Sequence, residues 1–169
     1  MINEFLNGAL SYVMPGEDPA GTLIFIVILA VAFTVCFVAL VTLLAALFKE
    51  LTARGRDAVE TRPWMTLVYG LVGWLVFGGL ATVLASKISL VAIVLPMLVC
   101  LVGAPGLYTH IGGRIGAMRN KETSNLQRVV LGATFAMLAV LFPGFGWFIV
   151  LPLLLMAEFG TGVQALLRR

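Results

Sequence analysis

Long uncharged apolar runs alternate with short charged stretches along this chain. The apolar runs cover Gly21 to Phe48, about Trp64 to Ser86, Ile88 to about His110, and Val129 onward. Each is near or beyond the roughly 20 residues that carry a helix across a bilayer. The charges fall between them: Lys49 to Arg62 holds seven and Arg114 to Arg128 holds five. Spans joined by polar loops produce this pattern. The expected fold is all-α: a polytopic membrane helical bundle of three transmembrane helices plus a C-terminal broken helix or helical hairpin.

Ahead of the first run, Ile2, Phe5, Leu6, Ala9, Leu10 and Val13 recur at helical spacing opposite Asn3, Glu4 and Asn7. Met1 to Met14 is too short to span and suits an N-terminal interfacial amphipathic helix, with a frayed terminus as the alternative. Pro15-Gly16 ends it. Residues 1–20 are thus read as an interfacial segment, and 21–169 as one transmembrane domain with segments at about 21–48, 64–86, 88–111, 129–142 and 145–167.

The first span is long enough to tilt or to project beyond the membrane. Lys49 to Thr61 reads as its helical extension, with Glu50 and Arg54 at an i,i+4 spacing on a solvated face. Pro63 then sits at a first helical turn, where its missing N–H costs nothing, and Trp64 beside Arg62 suits an interfacial anchor. Gly70, Gly73, Gly78 and Gly79 mark the second span as a helix that a neighbour approaches closely. Only Ser86-Lys87 separates it from the third, so the two are expected to form an antiparallel hairpin. Pro96 and Pro105 are expected kinks in that third span. Gly112 and Gly116 beyond it add a small-xxx-small spacing for helix contact. Thr123-Ser124-Asn125 is a helix-start signal.

The last run is broken at Phe142-Pro143-Gly144-Phe145-Gly146-Trp147. Charge decides how to read the break. The N-terminal segment has no basic residue, while the connectors at 49–62 and 114–128 have four each. The positive-inside rule puts the N-terminus outside and both connectors in the cytoplasm. Arg168-Arg169 belongs inside too, which requires two crossings after Val129, not one, and makes Pro143-Gly144 the tip of a hairpin. The first arm, Val129 to Phe142, has 14 residues, roughly 21 Å of helix, short for a full crossing. A re-entrant pair is the variant that this shortness leaves open.

Composition narrows the class further. The chain is 61% apolar and 11% charged, against about a quarter charged in water-soluble domains. Its net charge of +3 reflects basic residues beside spans, so nucleic acid is not an expected partner. Cys36 and Cys100 lie inside apolar runs without metal-type spacing and read as small buried hydrophobes. Met1 to Tyr12 lacks Lys and Arg, and no cleavable secretory signal is expected.

Several stretches in order resemble a membrane domain of bacterial proteins that is often fused to bactofilin-type, polymer-forming sequences. Arg62-Pro63-Trp64-Met65-Thr66-Leu67 before Gly70-Leu71 is similar to that family's Arg-Pro-x-x-Ser-Leu-x-x-Gly-Leu start. The Pro-kinked third span ending around Gly112 and Gly116 is a second likeness. Leu141 to Trp147 and Phe159-Gly160-Thr161-Gly162-Val163 stand near its Ile-Pro-x-x-Gly-Trp and Gly-x-Gly-Ala. The likeness covers about Val38 to the C-terminus. It implies a membrane-anchoring or scaffolding module and no reaction. The sequence departs from it in having no polymerising β-domain and in carrying Glu158 where apolar residues are usual.

Glu158 is the most informative residue for chemistry. Inside a transmembrane helix an acid costs about 2.5 to 3.5 kcal/mol on insertion scales, so it must be protonated, paired or wet. His110 and Arg114 are the nearest basic candidates for an intramembrane polar contact. Glu158 is then either a relay or subunit contact, or a structural carboxyl satisfied within the bundle. His110 is the sole histidine and has no adjacent acids or thiols with which to build a metal site. No phosphate loop, nucleophile elbow or metal-binding helix motif occurs, so no enzyme activity and no cofactor are expected. The leading expectation is a scaffold or accessory subunit of a membrane assembly, in contact with lipids and with copies of itself or other subunits. The second is a small oligomeric pore or proton-coupled transporter using Glu158.

Overall fold

The computed structural model describes residues 19–83, 89–120 and 123–167, and every regular element among them is helical. Six helices follow one another: α1 (Pro19–Leu47), α2 (Lys49–Thr61), α3 (Pro63–Val83), α4 (Ser89–Met118), α5 (Asn125–Leu141) and α6 (Leu151–Leu167), the last preceded by a π-helical segment, Gly146–Val150. The proposed interfacial helix at Met1–Met14 and the Ser86-Lys87 link lie outside the described residues.

Three stretches are long and apolar enough to cross a membrane: Ala20–Leu47, Val94–Met118 and Gly146–Leu167. Pro63–Phe77 and Asn125–Leu141 are shorter apolar helices. The chain divides into two units, Met1–Phe37 and Val38–Arg169. In the first, α1 is apolar all round and Cys36 is exposed, where a buried position was expected. Large apolar side chains along the same stretch, such as Leu23, Ile28, Phe33 and Val35, are exposed as well.

The second unit holds the core. The charged connector is a separate helix, because regular geometry lapses at Phe48 (φ −111°, ψ 56°). This corrects the expected continuous extension of the first span. Gly55 of α2 faces Gly106 of α4, and with no Cβ on either residue the two backbones touch. The Glu50–Arg54 pair does form, at 3.6 Å on the solvated face.

Helix α4 passes through Pro96 and Pro105 without ending and continues beyond the expected limit near His110 to Met118. The glycines at 112 and 116 are therefore inside the helix and buried. Helix α5 begins where the sequence signals it. The Ser124 hydroxyl accepts from the Gln127 N–H and the Gln127 side chain accepts from the Ser124 N–H, a capping box.

At the break, the Gly146 N–H bonds the Phe142 carbonyl, and Gly144 takes a left-handed φ of 79°. Gly146 then lies against the carbonyls of Ala139 and Val140, so the chain folds back onto the last turn of α5. Beyond that point α5 and α6 pack on α4 and not along each other.

Candidate functional site

The helices meet through a repeated backbone device. A Cβ on Gly103 of α4 would fall on the Glu158 carbonyl oxygen of α6, and one on Gly162 would fall on the Val99 carbonyl oxygen. The same reciprocity joins α3 to α6, where Gly70 covers the Met156 carbonyl and Gly160 covers that of Thr66. It also joins α4 to α5, through Gly112 on Arg128 and Gly132 on Tyr108. In each pair the glycine stands four residues after the covered carbonyl on its own helix. A side chain there would separate the helices, and its absence lets Cα–H groups meet carbonyl oxygens directly.

This close approach places the polar side chains. Glu158 follows from α6 and is 7% exposed; Tyr108 of α4 is 1% exposed. The Tyr108 hydroxyl donates to Glu158 Oε1. A buried carboxylate needs such a donor, because desolvation without a partner costs several kcal/mol. Two turns on, Gln164 Nε2 donates to Thr66 Oγ1 of α3 at 3.3 Å, again between buried side chains. The Thr66 hydroxyl in turn donates to the Arg62 carbonyl at 3.4 Å, and Thr161 donates to the Ala157 carbonyl at 2.6 Å. Buried Cys100 adds a weak thiol contact to the Leu155 carbonyl at 3.8 Å. Phe159 fills the space over Gly73 and meets the Phe77 ring edge-on at 5.7 Å.

His110 and Arg114 do not take part in this contact. They lie further along α4 and line a cleft with Arg56, Glu60 and Arg128. The partner of Glu158 is thus Tyr108, two residues short of the histidine and uncharged. Of the glycines read as packing positions, Gly70, Gly73 and Gly112 each sit directly against a neighbouring helix. Sequence reasoning missed Gly103, Gly132, Gly160 and Gly162 and the Thr66–Gln164 pair. The signal for Tyr108 was present: a phenol amid Ala104, Leu107 and other apolar residues requires an acceptor.

Among the described residues no group of three or more His, Cys, Asp or Glu side chains is arranged to hold a metal. Comparison with known proteins returns no matching family model, no similar curated protein and no similar solved structure.

Proposed function

We propose that this chain is a non-enzymatic integral membrane scaffold or accessory subunit of a larger assembly. On this reading it is a multi-pass protein of the bacterial inner (cytoplasmic) membrane, N-terminus outside and C-terminus cytoplasmic, whose partners are lipids and further copies or other membrane subunits. One observation carries the reading: buried polar side chains of different helices pair within the core, as in Tyr108–Glu158 and Thr66–Gln164, while many large apolar and aromatic side chains face outward. Trp64, Trp147 and Phe148 are all exposed. A surface of that kind suits lipid and neighbouring helices. Native pulldown from mild detergent should recover a homo-oligomer or a defined partner. Recovery of a lone monomer with no partner would contradict the proposal.

The transporter reading has one observation in its favour. A π-helical segment, a common mark of functional sites, precedes the helix that carries the buried acid. Proton or ion flux in liposomes that is unchanged by Glu158→Gln removes its support.

A further inference from the structure

Where α2, α4 and the start of α5 meet, clefts of different chemistry share walls. The largest, about 530 Å³, is lined by Lys49, Thr52 and Arg56 of α2, Thr109 of α4, and Asn125 and Leu126 of α5. Past Arg56 and Thr109 a second cleft of about 210 Å³ adds His110, Arg114 and Arg128, with Glu60 as the carboxylate on its wall. Four cationic side chains, Lys49, Arg56, Arg114 and Arg128, and one acid thus line the two adjoining clefts. Glu60 is held by Arg56 at 3.5 Å, and Arg128 Nε donates to Thr123 Oγ1 at 3.3 Å. Excess positive charge remains.

Two further features point to an anionic oxygen ligand. The first residues of α5 lie on the cleft wall, and the N–H groups of a first helical turn have no intrahelical acceptor. The capping box uses the Gln127 N–H, so the positive end of a 17-residue helix dipole faces the cleft through Asn125 and Leu126. Independently, Thr52 Oγ1 is buried with no hydrogen-bond partner. Buried hydroxyls without partners are uncommon and call for an explanation.

Thr52 also forms the boundary with a third cleft. This one, about 240 Å³, is apolar and runs between Leu44, Phe48 and Leu51 on one side and Leu98, Leu101 and Pro105 of α4 on the other. An inorganic anion would use the basic part alone. A ligand with a charged head and a hydrocarbon tail would use all three.

We propose that this composite cleft binds an anionic phospholipid, its phosphate among Lys49, Arg56 and the start of α5, and the upper part of one acyl chain along α4. Basic pockets between helices at the cytoplasmic level recognise such headgroups. The inference rests on the membrane reading above, which sets this end of the bundle at headgroup depth.

The full chain, extracted in neutral detergent, is titrated with phosphatidylglycerol, phosphatidylcholine or inorganic phosphate, and retained adducts are read by native mass spectrometry. Phosphatidylglycerol should be retained at about tenfold lower concentration than phosphatidylcholine and should resist displacement by phosphate. The double variant Lys49→Gln/Arg56→Gln should erase that preference, and Arg62→Gln, outside the clefts, should preserve it. Equal retention of the two lipids, displacement by phosphate alone, or a preference unaltered by the double variant overturns the proposal. Should the double variant misfold by circular dichroism, the three-ligand comparison on the unaltered chain still decides. Release of the chain from membranes by carbonate instead defeats the membrane reading itself, a result separable from absent lipid preference.

Discussion

Glu158 and Tyr108 form the polar centre of the bundle, and each needs the other. Tyr108→Phe removes the donor but keeps the ring, leaving the buried carboxyl unmatched. The expected loss is about 1–3 kcal/mol, read as a lower thermal midpoint in detergent. Adding Glu158→Leu should recover part of it, and a double-mutant cycle would measure the coupling. The glycines give a second residue-scale contrast. Gly103→Ala drives a Cβ onto the Glu158 carbonyl and should destabilise by at least about 1–3 kcal/mol, whereas Gly79→Ala meets nothing within 4 Å and should be neutral or slightly stabilising. Unfolding midpoints of the two variants side by side check this. That Glu158 needed a partner was legible from one acid in an apolar run. Its identity was not, because Tyr108 is 50 residues away and only the folded register of α4 on α6 unites them.

The elements themselves were largely readable. Hydropathy located the apolar helices, Ser124 started α5, and Pro143-Gly144 marked the break, because these features act within a few residues of sequence. Two others depend on tertiary contact and escaped. The lapse at Phe48 accompanies the docking of Gly55 on Gly106, and the extension of α4 to Met118 accompanies burial of Gly112 against α5. At the break, Gly144 has a left-handed φ and open space around its Cα. Gly144→Ala should therefore cost only the backbone term, about 1–2 kcal/mol, and Gly144→Asn less. Thermal unfolding of both variants tests whether the turn is held by conformation alone.

For the whole molecule, three long apolar helices are consistent with a multi-pass membrane protein, and the sides proposed from charge asymmetry can be tested directly. Cysteines introduced at Arg119 and at Gly144 in a chain lacking Cys36 and Cys100 should report opposite accessibility. The membrane-impermeant thiol reagent should label position 144 from outside and position 119 only after permeabilisation. Labelling of neither position from outside would favour a re-entrant pair. Packing was legible in part: Gly70, Gly73 and Gly112 marked close approach, but not their partners, because those contacts are made largely by backbone atoms where glycine leaves no side chain to read.

Those backbone contacts bear on biogenesis. Helix α6 is the last of the described helices to leave the ribosome, yet α2, α3 and α4 all pack against it. Until it arrives, Tyr108 lacks its acceptor, Thr66 lacks Gln164, and Gly70 and Gly103 face no neighbouring backbone. Helices α2 to α4 therefore cannot complete their packing in order of synthesis. Contacts such as Gly55 on Gly106 are independent of α6, but the core is complete only once α6 packs among these helices.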